Sequence, residues 1–283
     1  MKTVFKTVVE DLAAKGEARN PLTPEDYRGV TNGHEAVFCG VCNEPKRVWR
    51  EIDAIGFHGF VPTLCACGRK RAAARLADKA EETRSVLRTK AGNLSPECDF
   101  ASAERSPDLD KALRYVQKWD EMREKNIGLL LWGGNGSGKS YAAQCIANAL
   151  LDRDPPVMVY VKTFSAILAG GYDKTEILER VRQASLVVFD DLGAERGNDY
   201  ALETIFAIVD ARYQTKKPTI VTTNLSWEEI QNPKDGHGYP DIRRKRIYDR
   251  IEEMCVPVQF GGNSRRAVIR DDKTAYLARA LCL

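Results

Sequence analysis

The sequence has no strong charge of either sign: 43 basic side chains stand against 40 acidic ones and leave a formal +3. So small an excess does not by itself imply a nucleic-acid partner, and any such site has to be a local patch. No apolar run comes near the roughly 20 residues of a membrane span, so no membrane partner is expected. The opening stretch MKTVFKTVVEDLAAKG brings in Glu10 and Asp11 where a secretory signal needs a long neutral run, which makes the expected location cytoplasmic. Internal repeats and low-complexity tracts are missing as well. What remains is an ordinary globular composition, 43% apolar and 29% charged, able to bury a core.

Eight cysteines in a chain without a secretion signal do not read as a disulfide framework. Cys98, Cys145, Cys255 and Cys282 stand alone, and a lone cysteine most often behaves as a small buried apolar residue. Cys39, Cys42, Cys65 and Cys67 are clustered instead. Their C-x-x-C and C-x-C pairs have the spacing of a structural Zn²⁺ site, in which four thiolates close a tetrahedron. His58 is an alternative to one of the four ligands, and four reduced cysteines packed apolarly are the alternative to a metal. A structural metal would compensate a small domain for its limited core.

At 283 residues the chain exceeds one typical domain. KRAAARLADKAEETRSVLRTK, residues 70–90, is rich in alanine and paired charges and predicts a solvated helix. The stretch after it concentrates Gly, Ser, Pro, Asn and Asp, which predicts a linker over 91–108. That divides the chain into an N-terminal domain over 1–90, a second domain over 109–270 and a tail over 271–283. In the second domain, Leu113, Val116, Trp119 and Met122 recur on one face of a predicted helix. Strands are predicted at IGLLLW, PVMVYV, SLVVFD, PTIVTT and CVPVQF, with helical patterns between them. Apolar strands alternating with helices make this an α/β domain with a mostly parallel sheet covered on both faces.

After the first of those strands comes Gly133-Gly134-Asn135-Gly136-Ser137-Gly138-Lys139-Ser140, which fits G-x-x-x-x-G-K-[ST], the phosphate-binding loop. Backbone N–H groups converge on phosphate oxygens only where side chains do not obstruct them, and the start of the following helix adds a favourable dipole. With Gly at about 7% of residues, the four fixed positions match by accident in about 1% of chains this long. Lys139 is expected to meet the β- and γ-phosphates and Ser140 the Mg²⁺ ion. In LVVFDDLGAER, a buried strand ends in two carboxylates: Asp190 is placed to hold the Mg²⁺ shell, and Asp191 to orient or deprotonate an attacking water. Asn224, ending the fourth strand, is either a turn residue or a hydrogen-bond partner of that water or of the γ-phosphate, and Ser226 with Glu229 fits a helix capping box. Arg243, Arg244, Arg246, Arg250, Arg265 and Arg266 follow. Most read as a solvated face, but a hydrolytic site needs positive charge against the developing phosphate charge, and a neighbouring subunit is a common source.

The order P-loop, VVFDDLGAERGNDYALETIFAIVDARYQTKKPTIVTTNLS, RIYDRIEEM and GGNSRR resembles the bacterial and phage helicase loaders of the DnaC/DnaI family, AAA+ ATPases of the IstB-like group. The resemblance covers roughly residues 105–270. It implies a five-stranded parallel sheet flanked by helices, ATP-dependent assembly with a hexameric replicative helicase, and delivery of that helicase onto single-stranded DNA. It also implies that Lys139 and Ser140 are the Walker A residues, Asp190 and Asp191 the Walker B pair, and Asn224 sensor 1. Arg250 resembles an arginine finger given to the next subunit, and Arg266 the sensor 2 arginine, with Arg265 the alternative register. Asp191 stands where the wider class has glutamate, which suggests slow hydrolysis. The 17 residues after Arg266 are too few for a full helical lid. DnaI-like loaders carry an N-terminal zinc-binding domain that contacts helicase, which agrees with the cysteine cluster. Lys46, Arg47, Arg50, Arg69, Lys70 and Arg71 around Trp49 and Phe57 suit single-stranded nucleic acid or an acidic protein surface equally. Lys162, Tyr172 and Lys174 are the candidates for DNA contact that the family implies. An IstB-like transposition ATPase and a zinc-containing DNA-binding adaptor with an inactive nucleotide site are the alternatives.

Overall fold

The computed structural model describes residues 20–53, 56–153, 155–169, 173–193 and 199–261, with isolated positions beyond. It divides into two compact units, Met1–Thr83 and Arg84–Leu283.

The first unit is an antiparallel meander of β1 (Tyr27–Thr31), β2 (His34–Phe38), β3 (Pro45–Ile52) and β4 (Phe57–Pro62). Asn32 and Gly33, both at positive φ, form the two-residue turn between β1 and β2, where Thr31 pairs with His34. Such a turn matches the twist of the strands it joins. The apolar core is small: Ala36, Val37, Val48 and Phe57, with Cys39 and Cys65. Lys46 alternates inward with Val48 on β3 and is 1% exposed. Its Nζ donates to Asp26 Oδ2 at 2.7 Å and to Pro21 O at 2.8 Å. Lys46 therefore does not belong to an exposed basic surface, contrary to the sequence expectation. Phe57 is buried too, Trp49 packs edge-on against Phe60, and Arg69 pairs with Glu44 at 2.7 Å. The helix α1 (Ala66–Gly92) contains the predicted 70–90 helix, and its residues 73–86 are solvent-exposed.

In the second unit α2 (Pro107–Gln117) and α3 (Trp119–Glu124) precede β5 (Gly128–Trp132) and α4 (Lys139–Leu151). Then come β6 (Val159–Thr163), α5 (Phe164–Leu168), α6 (Lys174–Gln183), β7 (Leu186–Leu192), α7 (Asp199–Thr215) and β8 (Thr219–Thr223). The unit continues through α8 (Trp227–Gln231), α9 (Ile242–Met254) and β9 (Cys255–Gln259). The five strands are parallel, in the order β6-β7-β8-β5-β9. Successive side chains on a strand point to opposite faces, which explains the unbroken apolar runs. Leu130, Val187, Phe189 and Val221 pack under α5, α6, α7 and α9, whereas Leu131, Val188 and Ile220 pack under α2 and α4.

Two details depart from the sequence expectation. The helix predicted through Leu113, Val116, Trp119 and Met122 is two helices that break at Lys118. Its fully buried residues are Leu109, Ala112, Tyr115 and Trp119; of the predicted face, Trp119 is among them and Val116 and Met122 are partly buried against the same core. The segment predicted as a linker over 91–108 packs on α4. Ala91, Leu94 and Cys98 are buried in the core, and Asn148 Nδ2 donates to Ser95 O (2.8 Å) and Cys98 O (2.9 Å). The lone cysteines Cys98, Cys145 and Cys255 are buried, as expected; Cys282 lies outside the described residues.

Candidate nucleotide site

The glycine-rich loop connects the end of β5 to the start of α4. At two positions glycine is required. Gly133 has φ +142°, and a Cβ there would come within 2.3 Å of Phe260 O. Gly138, at φ +97°, is the residue before the first turn of α4, whose N–H groups receive no side-chain cap. Those orphan donors and the helix dipole favour an anion. Lys139 is 5% exposed and its Nζ donates to Gly133 O (2.9 Å) and Gly134 O (2.8 Å), which holds the charge over the loop.

Opposite the loop, β7 bears the two carboxylates. On a regular strand Asp190 and Asp191 would point to opposite faces, yet both line one cavity. The register between β7 and β8 shifts between Phe189 and Leu192, and Asp191 takes the left-handed conformation with φ +64°. A bulge of this kind re-aims side chains, and aspartate tolerates that region better than most residues. Thr222 on β8 fixes the bulge from both ends: its hydroxyl donates to Asp190 Oδ1 (2.6 Å) and accepts from the Asp191 N–H (2.9 Å). Asn224 leaves β8, the strand between β5 and β7, and donates from Nδ2 to Asp191 Oδ1 at 3.0 Å. The predicted Ser226–Glu229 capping box forms at the start of α8.

The cavity, about 830 Å³, is lined by Asn135, Gly136, Gly138, Lys139, Ser140, Tyr141, Thr163, Asp190, Asp191 and Asn224, together with Ser102, Ala103 and Glu104. Its bare backbone, one buried ammonium and a hydroxyl beside two carboxylates suit a nucleoside phosphate and a hard cation such as Mg²⁺. The wall formed by residues 102–104 was not anticipated. The segment that leads into it, residues 95–99, is held on α4 by Tyr141, Gln144 and Asn148, polar residues spaced 3 and 4 apart on a helix that is otherwise apolar on that side. That polar row was the available signal.

Arg250 is not among the cavity's lining residues. It lies on α9, paired with Asp210 at 2.9 Å. Arg265, Arg266 and Tyr172 lie outside the described residues, while Lys162 is on β6 and Lys174 begins α6.

In the first unit, ligand atoms of Cys39, Cys42 and Cys65 lie within 4.8 Å of one another. Cys67, the fourth expected ligand, is not in that group, although it neighbours Cys42 closely enough for each thiol to shift the other's pKa. The backbone N–H of Cys67, followed by that of Glu44, holds the Cys42 thiol low, at about 6, and the hydrogen bond with Cys42 pushes Cys67 up to about 11. Three converging sulfurs, with backbone N–H groups that favour the Cys42 thiolate, suit Zn²⁺. His58, exposed on β4, is not in the cluster.

A P-loop on a central strand, an acidic strand tip two strands away, a polar residue between them and this strand order define an AAA+-type P-loop ATP-binding fold. Within that class, the chain belongs to the IstB-like ATP-binding protein family, whose sequence model matches residues 78–273. The replicative helicase loader DnaI of Bacillus subtilis is 23% identical over 81% of this chain and 78% of that protein. The replicative helicase loader DnaC of Escherichia coli is 30% identical over 43% of this chain, a match spanning only 51% of its own length. The crystal structure of DnaI superposes with a TM-score of 0.49 at 22% identity, over 59% of this chain and 89% of that one. Among the described residues no helix is long and apolar enough to cross a membrane.

Proposed function

We propose that this chain is an ATP-hydrolysing helicase loader of the cytoplasm. It binds a hexameric replicative DNA helicase through its first unit and delivers it onto single-stranded DNA at the start of DNA replication, with nucleotide state governing release. The observation that carries this reading is the extent of the DnaI match: at 81% of the chain it is longer than the second unit and so extends into the first. A likeness confined to the ATP-binding unit would not point to a helicase partner.

In this reading the N–H groups from Gly133 to Gly138 cradle the phosphates, Lys139 sets its charge against the β- and γ-phosphates, and Ser140 and Asp190 hold the metal. ATP·Mg²⁺ brings the scissile phosphoanhydride and the cation's charge. Asp191 orients a water and takes its proton, and Asn224 keeps that carboxylate aimed. Arg250 supplies positive charge to a neighbouring subunit's site, so self-association or assembly on the helicase ring completes the machinery; Arg266 is the proposed sensor 2. Cys39, Cys42, Cys65 and Cys67 hold a structural Zn²⁺ that fixes the helicase-binding unit.

Native mass spectrometry of the chain with its host's replicative helicase, in ATP·Mg²⁺ and in ADP, tests this. An assembly carrying one zinc per chain is expected. No helicase binding in either nucleotide would overturn the reading and favour an IstB-like transposition ATPase, which the matched family supports as the second reading. Hydrolysis abolished by Lys139→Ala would exclude an adaptor with an inactive nucleotide site, against which the intact Lys139, Asp190 and Asp191 already argue.

A further inference from the structure

A guanidinium that serves a neighbouring subunit has to project from its own. Arg250 does not. Its Cζ lies 4.2 Å above the Phe206 ring centroid and 5.7 Å from that of Tyr213, both on α7. Its Nη1 is 2.9 Å from Asp210 Oδ1, and both of these atoms are shielded from solvent although the two side chains are each 29% exposed. The contact lacks the alignment of a directed hydrogen bond, so charge and ring stacking hold the group. Asp210 is itself braced from the other side, where Gln214 Nε2 approaches Oδ2 at 3.5 Å. Tyr213 pins the same helix pair by donating to Glu253 Oε2 at 2.6 Å without ion-pairing to Arg250.

We infer that Asp210 and Phe206 are positioning residues that stow Arg250 against its own subunit, so that the guanidinium must leave Asp210 before it can reach a nucleotide bound next door. The inference rests on the reading of Arg250 as a charge donated in trans. The Asp210 carboxylate and a neighbour's terminal phosphate are competing anions for one guanidinium. An isolated or loosely associated subunit therefore keeps its arginine, and only a neighbour that presents the phosphate in register removes it. The polarity of the competition fixes the sign of the test: weakening the intramolecular anion favours the intermolecular one.

The full-length chain carries the experiment, with two readouts against subunit concentration: self-association by sedimentation in the presence of a non-hydrolysable ATP analogue and Mg²⁺, and steady-state ATP turnover. Asp210→Asn keeps the shape and removes the charge. It is expected to lower the concentration for half-maximal association, and for half-maximal turnover, by 3- to 10-fold, while the plateau turnover stays close to wild type. Phe206→Leu, which removes the stacking face, should shift both curves the same way by a smaller factor. Tyr213→Phe loosens the same helix contact without touching the ion pair and should leave both curves in place. Combining Asp210→Asn with Arg250→Ala should abolish the gain.

A rightward shift or no shift with folded Asp210→Asn overturns the stowing inference, as does an equal leftward shift with Tyr213→Phe. If Arg250→Ala alone changes neither curve, the trans-acting role of Arg250 fails instead, and the two failures are thereby told apart.

Discussion

Lys46 in the first unit and Arg212 in the second are both buried cations, and they are stabilised by opposite means. Lys46 has a carboxylate partner, Asp26, in a unit with few apolar side chains to bury. Arg212 is 0% exposed, and it donates to neutral groups: the carbonyls of Val181, Ala184, Ser185 and Pro218 and the hydroxyl of Thr219. Burial draws its pKa down to about 10, which still leaves it charged at neutral pH. It ties α7 to the ends of α6 and β8, whose carbonyls would otherwise lie unpaired. The first unit is thus built on opposite charges and thiols. The second unit is built on two apolar layers, with polar groups closing the gaps.

The comparison breaks most completely at the cysteines. Chelation, or Cys39→Ser, is expected to abolish hydrogen-exchange protection across β1–β4 and leave β5–β9 and ATP-analogue binding unchanged, because structural zinc contributes on the order of 10 kcal/mol to small domains. Equal loss in both units would refute the separation. Arg212→Met should destabilise the second unit by about 3–5 kcal/mol, since several buried carbonyls lose their donor at once. Urea unfolding followed by the same exchange peptides should show the first unit unaffected.

Asp26 sharpens the contrast through pH. Burial raises its carboxyl pKa, but the Lys46 hydrogen bond and the Thr23 and Gly40 N–H groups more than offset this, to about 2. A carboxylate depressed on folding contributes stability that is present above its unfolded pKa, near 4, and lost as pH falls through about 2. Asp26→Asn should therefore cost the first unit about 2–3 kcal/mol at neutral pH. That difference should shrink as pH is lowered from 5 toward 3, and one that grows would reverse the sign. The smallest effect belongs to the second unit: Ser226→Ala removes the α8 capping box for about 1 kcal/mol, measurable as a lower thermal midpoint.

What the sequence made legible was whatever short spacing encodes. The P-loop, the five strands and the Ser226–Glu229 cap are local, and each lies where its residues predict. Asp190 and Asp191 were legible as a pair, but the bulge that turns both into one cavity depends on Thr222, 31 and 32 residues away. The packed segment over 91–108 escaped for the same reason: its Gly, Ser and Pro content reads as punctuation, while the side chains that hold it sit on α4. Lys46 read as a surface charge because nothing near it in sequence announces Asp26. The stripe through α2 and α3 was legible at Trp119 but not at Tyr115, whose polar hydroxyl, which donates to Ile127 O, hides its place in the core.

The strand order also has a consequence for the nascent chain. In the meander, each strand of the first unit pairs with the one synthesised just before it, so that sheet can form as soon as β4 has emerged. β5 pairs only with β8 and β9. At roughly 5–20 residues per second, β5 and its glycine loop wait several seconds for their first strand partner, with both edges of β5 unpaired meanwhile. The loop that holds the phosphates is thus made early and shaped late, and a ribosome pausing between β5 and β8 would lengthen the interval in which this apolar strand is most prone to aggregation.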